Sequence, residues 1–494
     1  MSEAALLAID QGTSSSRAMA FSSSGELLGS EQESFESLYP APGWVEHDPE
    51  VLWATVLSTS RTLVQRLRTA GYGVVAIGLT NQRETSIVWN RRTGAPIHNA
   101  IVWQDRRTAQ RCRELARAGH ERLLNERTGL RLDPYFSATK LAWILDTVPG
   151  ARRAAEAGEL AFGTVDSFLL WRLTGGRAHL TDASNASQTA LYDIRQGRWD
   201  PTLCELFDVP MRALPEVRDS AGDFGTTEAG LFGEGLAIRG VAGDQQAALL
   251  GQGCLQPGDA KCTYGTGAFL VANTGERLVS SGSQLISTIA WRLGGRVTFA
   301  IEGSILSAGS IVRWLRDALG LFTRSEQIET LAGSVAGSGG VHLVPAFTGL
   351  GAPYWDADAR AAILGLTPQS GRAEIARAAL DSVVYQTCDL LDALRQDDVA
   401  PTLLKIDGGM ARNELFCQLL SDMIDLPVLR PRMQEATAFG AACLAGLGRG
   451  VYGSLEQVSS LWQPNGRYAP RLDAAHRAAA LTAWRAALQR VRTA

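Results

Sequence analysis

An apolar run that ends in a carboxylate, then a string of small hydroxyl residues and a second apolar run, limits what this chain can build more than any other stretch. Between Ala4 and Gly29 it reads AALLAIDQGTSSSRAMAFSSSGELLG. Asp10 closes the first run, Gly12, Thr13, Ser14, Ser15 and Ser16 follow, and Arg17 opens the second. A tight hairpin needs only about two turn residues, so the additional Thr and Ser are either tolerated or used. Leu6–Ile9, Ala18–Phe21 and Leu27–Ser30 are predicted strands of a meander, with Gly25 in its second turn. The pattern restarts past residue 250, where AKCTYGTGAFLVAN again gives strand, Gly-Thr-Gly turn and strand. Two such hairpins suggest a duplication around a shared cleft.

The chain has 494 residues, whereas single cores stop growing near ~250–300. Two domains are expected, 1–252 and 253–494, with Gly251, Gly253, Pro257 and Gly258 at the boundary. Val74–Thr80, Thr85–Asn90 and the buried stretch from Leu403 read as strands. Asp105–Leu124, Ala138–Val148, EIARAALDSVVYQTCDLLDALR and ATAFGAACLAGLG read as helices. The class is α/β in both halves. A net charge of -4 gives no reason to expect a nucleic-acid partner. No apolar run is long enough for membrane insertion and no leader pattern opens the chain, so a cytoplasmic location is expected. Seven scattered cysteines without C-x-x-C, and six histidines without a ligand-like pair, argue against disulfides and a protein-held transition metal. Lys140, Lys261 and Lys405 are the only lysines.

Glycine and hydroxyl residues after a strand suggest phosphate binding. None of the three lysines follows a glycine, which excludes the Walker loop, and the protein-kinase set and G-x-G-x-x-G are missing too. What remains is a turn whose N–H groups and hydroxyls wrap an anion. A carboxylate such as Asp10 beside that turn makes sense with Mg²⁺ between them, and Arg17 supplies fixed positive charge. A well-formed hairpin alone also explains Asp-x-Gly-Thr; the turns at Thr263–Gly267 and Asp407–Gly409 favour the nucleotide reading. Such a set resembles the ribonuclease-H-like ATPases of the actin and hexokinase type, in which two domains flank a nucleotide cleft. Arg83–Glu84 is either a surface ion pair or a donor–acceptor pair for a polyol, the latter only if the backbone turns at Asn81–Gln82. Trp103 and Tyr135 offer walls for such a pocket. Asp244, between a strand end and an alanine-rich helix, reads as a helix cap, a general base, or both.

DQGTSSSR, GWVEHDP, TNQRET, IVWQDRRT, DPYFSATKLAWIL, GTVDSFLLWRLTGG, AGDQQAALLGQ, TYGTGAF, VPAFTGLGAPYWD and EATAFGAA together resemble the motif series of the FGGY carbohydrate kinases, over residues 5 to about 450. GWVEHDP and TNQRET point to the glycerol branch. The resemblance implies ATP-dependent phosphorylation of glycerol to sn-glycerol 3-phosphate, with Asp244 as base. It implies glycerol contacts from Arg83, Glu84, Trp103, Tyr135, Asp244, Gln245 and Phe269, and ATP phosphates against Thr13, Ser14, Ser15 and Thr266 with Arg17 near the γ-phosphate. Asp10 and Asp244 would organise Mg²⁺ through water. Gly309, Arg313, Gly409, Met410 and Asn413 would line the rest of the nucleotide site. A homodimer or homotetramer is the expected assembly. Arg313 and Glu414 stand where relatives often carry glutamine and asparagine, and Ala361 where glycine is usual. The short LFGEGLAIRG and the segment APRLDAAHRAAA depart from the effector and partner segments of some enterobacterial relatives, so neither form of regulation is expected.

Overall fold

The computed structural model describes residues 3–493. Strands β1 (Glu3–Gln11), β2 (Ser15–Ser22), β3 (Leu27–Ser34), β4 (Tyr72–Asn81) and β5 (Ile238–Gly243) form a sheet in the order β5-β4-β1-β2-β3. The first three are an antiparallel meander, and β4 and β5 run parallel to β1. Successive side chains of a strand point to opposite faces. Accordingly Ala5, Leu7 and Ile9 enter one core while Leu6 and Ala8 enter another, and all five are buried. Helix α1 (Pro49–Thr69) covers the first face together with α2 (Val165–Leu173). Asp48 caps α1 by accepting from the Glu50 N–H, Pro49 opens it, and Leu52, Val56, Leu63 and Leu67 supply its buried stripe.

Strands β6 (Ala260–Tyr264), β7 (Ala268–Gly275), β8 (Ile286–Leu293), β9 (Arg296–Ile305), β10 (Leu404–Asp407), β11 (Val428–Pro431) and β12 (Pro464–Tyr468) form the second sheet, in the order β8-β9-β7-β6-β10-β11-β12. Its central run β9-β7-β6-β10-β11 has the neighbour order and directions of the first sheet, with an extra strand at each edge. The echo between the hairpins is therefore an echo between whole sheets.

Five further helices complete the frame: α3 (Asp244–Gly251), α4 (Gly309–Asp317), α5 (Arg372–Gln396), α6 (Glu414–Ile424) and α7 (Ala436–Arg449). α4, α5 and α6 pack into the core of the second sheet. α7 comes from the second half of the chain but lies against the first sheet and against α3. Small residues make this approach possible. A Cβ on Gly440 would fall 1.8 Å from the Ala247 carbonyl oxygen, and one on Gly78 would fall 2.0 Å from that of Ala441.

Two predicted elements differ. The helix expected over Asp105–Leu124 is two, Ala109–Arg117 and Glu121–Thr128, broken at Gly119 with φ +87°. Asp105 is buried ahead of them, its carboxylate accepting from the N–H groups of Val45 and Arg107. The strand expected from Thr85 begins at Ile87, because the chain turns first: Glu84 has φ +58° and the Thr85 N–H bonds the Arg83 carbonyl.

Candidate active site

In open α/β sheets, ligands bind beyond the carboxyl ends of parallel strands. Here those ends are in register: Asp10 lies opposite Thr80, Asn81 opposite Gly243, and Thr263 opposite Asp407. The two sheets bring these ends to one cavity of about 310 Å³. It is lined by Asp10, Thr13, Ser14, Ser15 and Arg17 from the first hairpin and by Thr266 and Phe269 from the second. Arg83, Glu84, Trp103, Tyr135, Asp244, Gln245 and Gly409 complete the expected set there. A neighbouring cavity of about 390 Å³ shares Thr266 and Gly409 and adds Gly309, Arg313, Met410 and Asn413. Every residue expected at the site thus falls on one or the other.

At the inner end, the turn that brings Arg83 and Glu84 to one side lies at those residues rather than at Asn81–Gln82, since Asn81 is still in β4. The two are fully buried, with Arg83 Nε 3.5 Å from Glu84 Oε1 and 3.3 Å from Asp244 Oδ1. Glu84 Oε1 has no hydrogen-bond partner among the described residues. Burial pushes the Glu84 carboxyl up to about 8 against the pull of Arg83. Trp103 meets Tyr135 edge-on at 5.6 Å and Phe269 at 6.1 Å, closing one side with aromatic rings. Asp244 opens α3 and stays 31% exposed to the cleft, so a ligand reaches it. Burial raises its pKa, and Arg83 and Lys261 oppose the rise.

At the outer end, the Gly12 N–H bonds the Ser15 carbonyl to close the first turn, and Trp103 Nε1 donates to Thr13 Oγ1 at 3.0 Å. The second turn is tied to the start of α4: Gly309 N–H bonds the Gly265 carbonyl, and Ala308 and Ser310 bond that of Thr266. Arg17 pairs with Glu435 at 2.7 Å across the cleft. Burial pushes Asp10 up to about 6, opposed by Arg17 and reinforced by the charges of Asp244 and Glu435. Such mutual repulsion is what a divalent cation relieves. Asp10 and Asp244 line the same cavity, a donor set that fits Mg²⁺, a cation that uses one or two carboxylates with phosphate oxygens and water. Asn413 spends its side-chain oxygen on capping α6 through the Phe416 N–H. Glu414 faces away, bonded to Arg430 at 2.7 Å and Tyr468 at 2.6 Å.

Several participants carried no signal that the sequence reading used. Asp182, fully buried, accepts from Ser184 Oγ and N, Asn185 N and Nδ2, and Ser220 Oγ, all within 2.7–2.9 Å. Ser184 Oγ in turn accepts the Gly243 N–H at 3.0 Å, and Asn185 Oδ1 accepts from Asn81 Nδ2 at 3.0 Å. One buried hub therefore grips the strand ends that deliver Asp244 and Arg83. All three lysines are buried. Lys140 donates to the carbonyls of Pro134, Tyr135 and Phe136 and so fixes the loop of Tyr135, while Lys261 donates to Gln245 Oε1 at 2.5 Å. A lysine inside an apolar strand, and the lone acid Glu302 in FAIEGSI, are the irregularities that would have pointed here.

The family model for the N-terminal domain of the FGGY family of carbohydrate kinases matches residues 5–251, and the one for its C-terminal domain matches 260–448. The chain is 54% identical to a glycerol kinase of Rhodospirillum centenum over 488 residues, 99% of this chain and 98% of the relative. It is 52% identical to one of Ectopseudomonas mendocina over 489 residues, 99% of each. Among solved structures, glycerol kinase of Plasmodium falciparum with ADP superposes with a TM-score of 0.92 at 34% identity, over 99% of this chain and 98% of that one. Gluconate kinase of Lactobacillus acidophilus shares the fold at 19% identity, with a TM-score of 0.88 over 99% and 97%.

Proposed function

This chain belongs to the FGGY family of carbohydrate kinases, and from that premise we propose that it transfers the terminal phosphoryl group of ATP to glycerol, giving glycerol 3-phosphate. The observation that carries the reading is the trio of buried Arg83 and Glu84 with cleft-facing Asp244, at the end of a cavity whose other end is two hydroxyl-bearing hairpin turns. The near full-length identity to glycerol kinases supports it. Residues 1–252 supply most of the acceptor corner and the first phosphate turn, and 253–494 supply Phe269, the second turn and the nucleotide cavity.

Glycerol hydroxyls pair with Arg83, Glu84, Tyr135, Asp244 and Gln245, its carbon edge against Trp103 and Phe269. Asp244 accepts the proton of one terminal hydroxyl as that oxygen bonds to the γ-phosphorus and the bond to ADP breaks. Thr13, Ser14, Ser15, Thr266 and Arg17 hold the phosphates; Gly309, Arg313, Gly409, Met410 and Asn413 border the nucleoside. Asp10 and Asp244 would hold Mg²⁺ through water, where it neutralises phosphate charge. Positioning supplies most of the catalysis in such transfers, and the aromatic walls keep competing water out.

The test is coupled ADP detection with glycerol, with xylulose and with no acceptor. Saturable ADP release that depends on glycerol is expected. Release at the same rate without acceptor, or a clear preference for xylulose, would refute the reading.

A further inference from the structure

Glu302 sits on β9, in the second sheet, yet its carboxylate belongs to the acceptor corner. Its two oxygens accept from Arg83 Nη1 at 2.7 Å and Nη2 at 2.6 Å, and both side chains are 1% exposed. The two residues lie 219 positions apart. With the fork of the guanidinium taken, the Nε edge is what remains toward Asp244 Oδ1 and Glu84 Oε1. Weaker contacts at 3.4 Å to the Tyr135 hydroxyl and 3.5 Å to Gln246 Oε1 complete the ring around Arg83.

A buried ion pair gains little stability over well-packed apolar residues, because desolvating both charges offsets their attraction. Orientation is the better reason to keep one. An arginine fork matches a carboxylate in two parallel hydrogen bonds. Without Glu302, the fork is left to the two carboxylates already beside Nε, Asp244 Oδ1 at 3.3 Å and Glu84 Oε1 at 3.5 Å. A fork that turned onto Asp244 would clamp the base in a two-pronged ion pair and swing the Nε edge away from the acceptor.

We propose that Glu302 is a positioning residue of the acceptor site: it holds the Arg83 fork from the second sheet, keeps Asp244 out of a bidentate pair, and leaves Nε for a substrate hydroxyl. The acceptor corner is on this account completed by both halves of the chain. The inference rests on the reading of this cavity as a polyol-phosphorylating site.

Full-length Glu302→Gln and Glu302→Asp are compared with the parent in steady-state kinetics, glycerol varied at saturating ATP and the reverse, with thermal unfolding of each. Loss of a hydrogen bond to a charged group amounts to roughly 10–100-fold. Glu302→Gln is expected to raise the glycerol KM by about that factor and lower kcat, with the ATP KM within about twofold of the parent. Glu302→Asp, which retains a carboxylate, recovers part of the loss. Parent-like glycerol KM and kcat in Glu302→Gln would overturn the proposal, as would an equal rise in both KM values. If neither variant folds, the pair holds the fold rather than the site and the proposal fails. A parent without glycerol-dependent ADP release takes the functional reading down together with this one; an active parent beside an unaffected Glu302→Gln takes down the inference alone.

Discussion

Arg83 Nε stands 3.3 Å from Asp244 Oδ1, a charged contact between the turn after one strand and the first residue of the helix after another. It sets a carboxylate beside a fixed positive charge while leaving it only partly buried, 31% exposed to the cleft. Burial favours its protonated form and Arg83 its ionised form. The balance suits a group that must take up a proton during the reaction and release it afterwards.

Asp244→Asn removes the proton acceptor but keeps size and polarity. Its kcat should fall by ~10²–10⁴, with ADP affinity retained in calorimetry. Near-normal turnover would exclude Asp244 as the base.

Arg83→Ala strips the acceptor corner of its cation and leaves the phosphate turns alone. The glycerol KM should rise far more than the ATP KM. Equal losses in both would place Arg83 wrongly.

Ser184 lies behind the strand end and accepts the N–H of Gly243, the residue before Asp244. Displacements of about 1 Å at reacting groups cost up to ~10²-fold. Ser184→Ala should therefore lower kcat roughly 10-fold or more while the ATP KM holds, and Ser184→Thr, which keeps the hydroxyl, should retain more activity. Two variants that behave alike would argue for packing, not positioning.

Glu84 gives a pH prediction. Burial raises its carboxyl from an ordinary value near 4.5 to about 8. A group raised on folding contributes its stability in full below the unfolded value and loses it as pH climbs through the folded one. Between pH 4.5 and 8 the parent should thus lose stability that Glu84→Gln, unable to ionise, does not. Denaturant midpoints followed across that window should fall more steeply in the parent; parallel lines would contradict the raised value.

Gly440 has no room for a methyl group, because a Cβ would meet the Ala247 carbonyl at 1.8 Å. Gly440→Ala must push α7 from α3 and should cost about 1–3 kcal/mol or more, read as a lower unfolding midpoint. A midpoint equal to the parent's would mean the helices separate freely.

Local signals were legible wherever backbone geometry alone sets them. The hairpin at Asp10–Arg17 and its partner at Tyr264–Ala268 lie where the turn residues place them. The alanine-rich helix from Ala436 was visible as a helix meant for close packing. The Asp105–Leu124 stretch misled because its helical composition hid two long-range demands: burial of Asp105 against Val45, and a left-handed Gly119.

What the sequence by itself determined is the punctuation: strand, glycine and hydroxyls, twice, with an acid ahead of the first, and hence two echoing hairpins whose turns are chemically suited to phosphate. Those signals are read within a dozen residues, from side-chain period and turn chemistry. Only the tertiary structure decided that α7 crosses to the first sheet, that Ser184 braces the strand ahead of Asp244, and that Glu302 reaches Arg83 from the far side of the cleft. Ion pairs and hydrogen bonds depend on distance in space, and residues 219 positions apart leave no mark of their meeting on the stretches of chain that surround them.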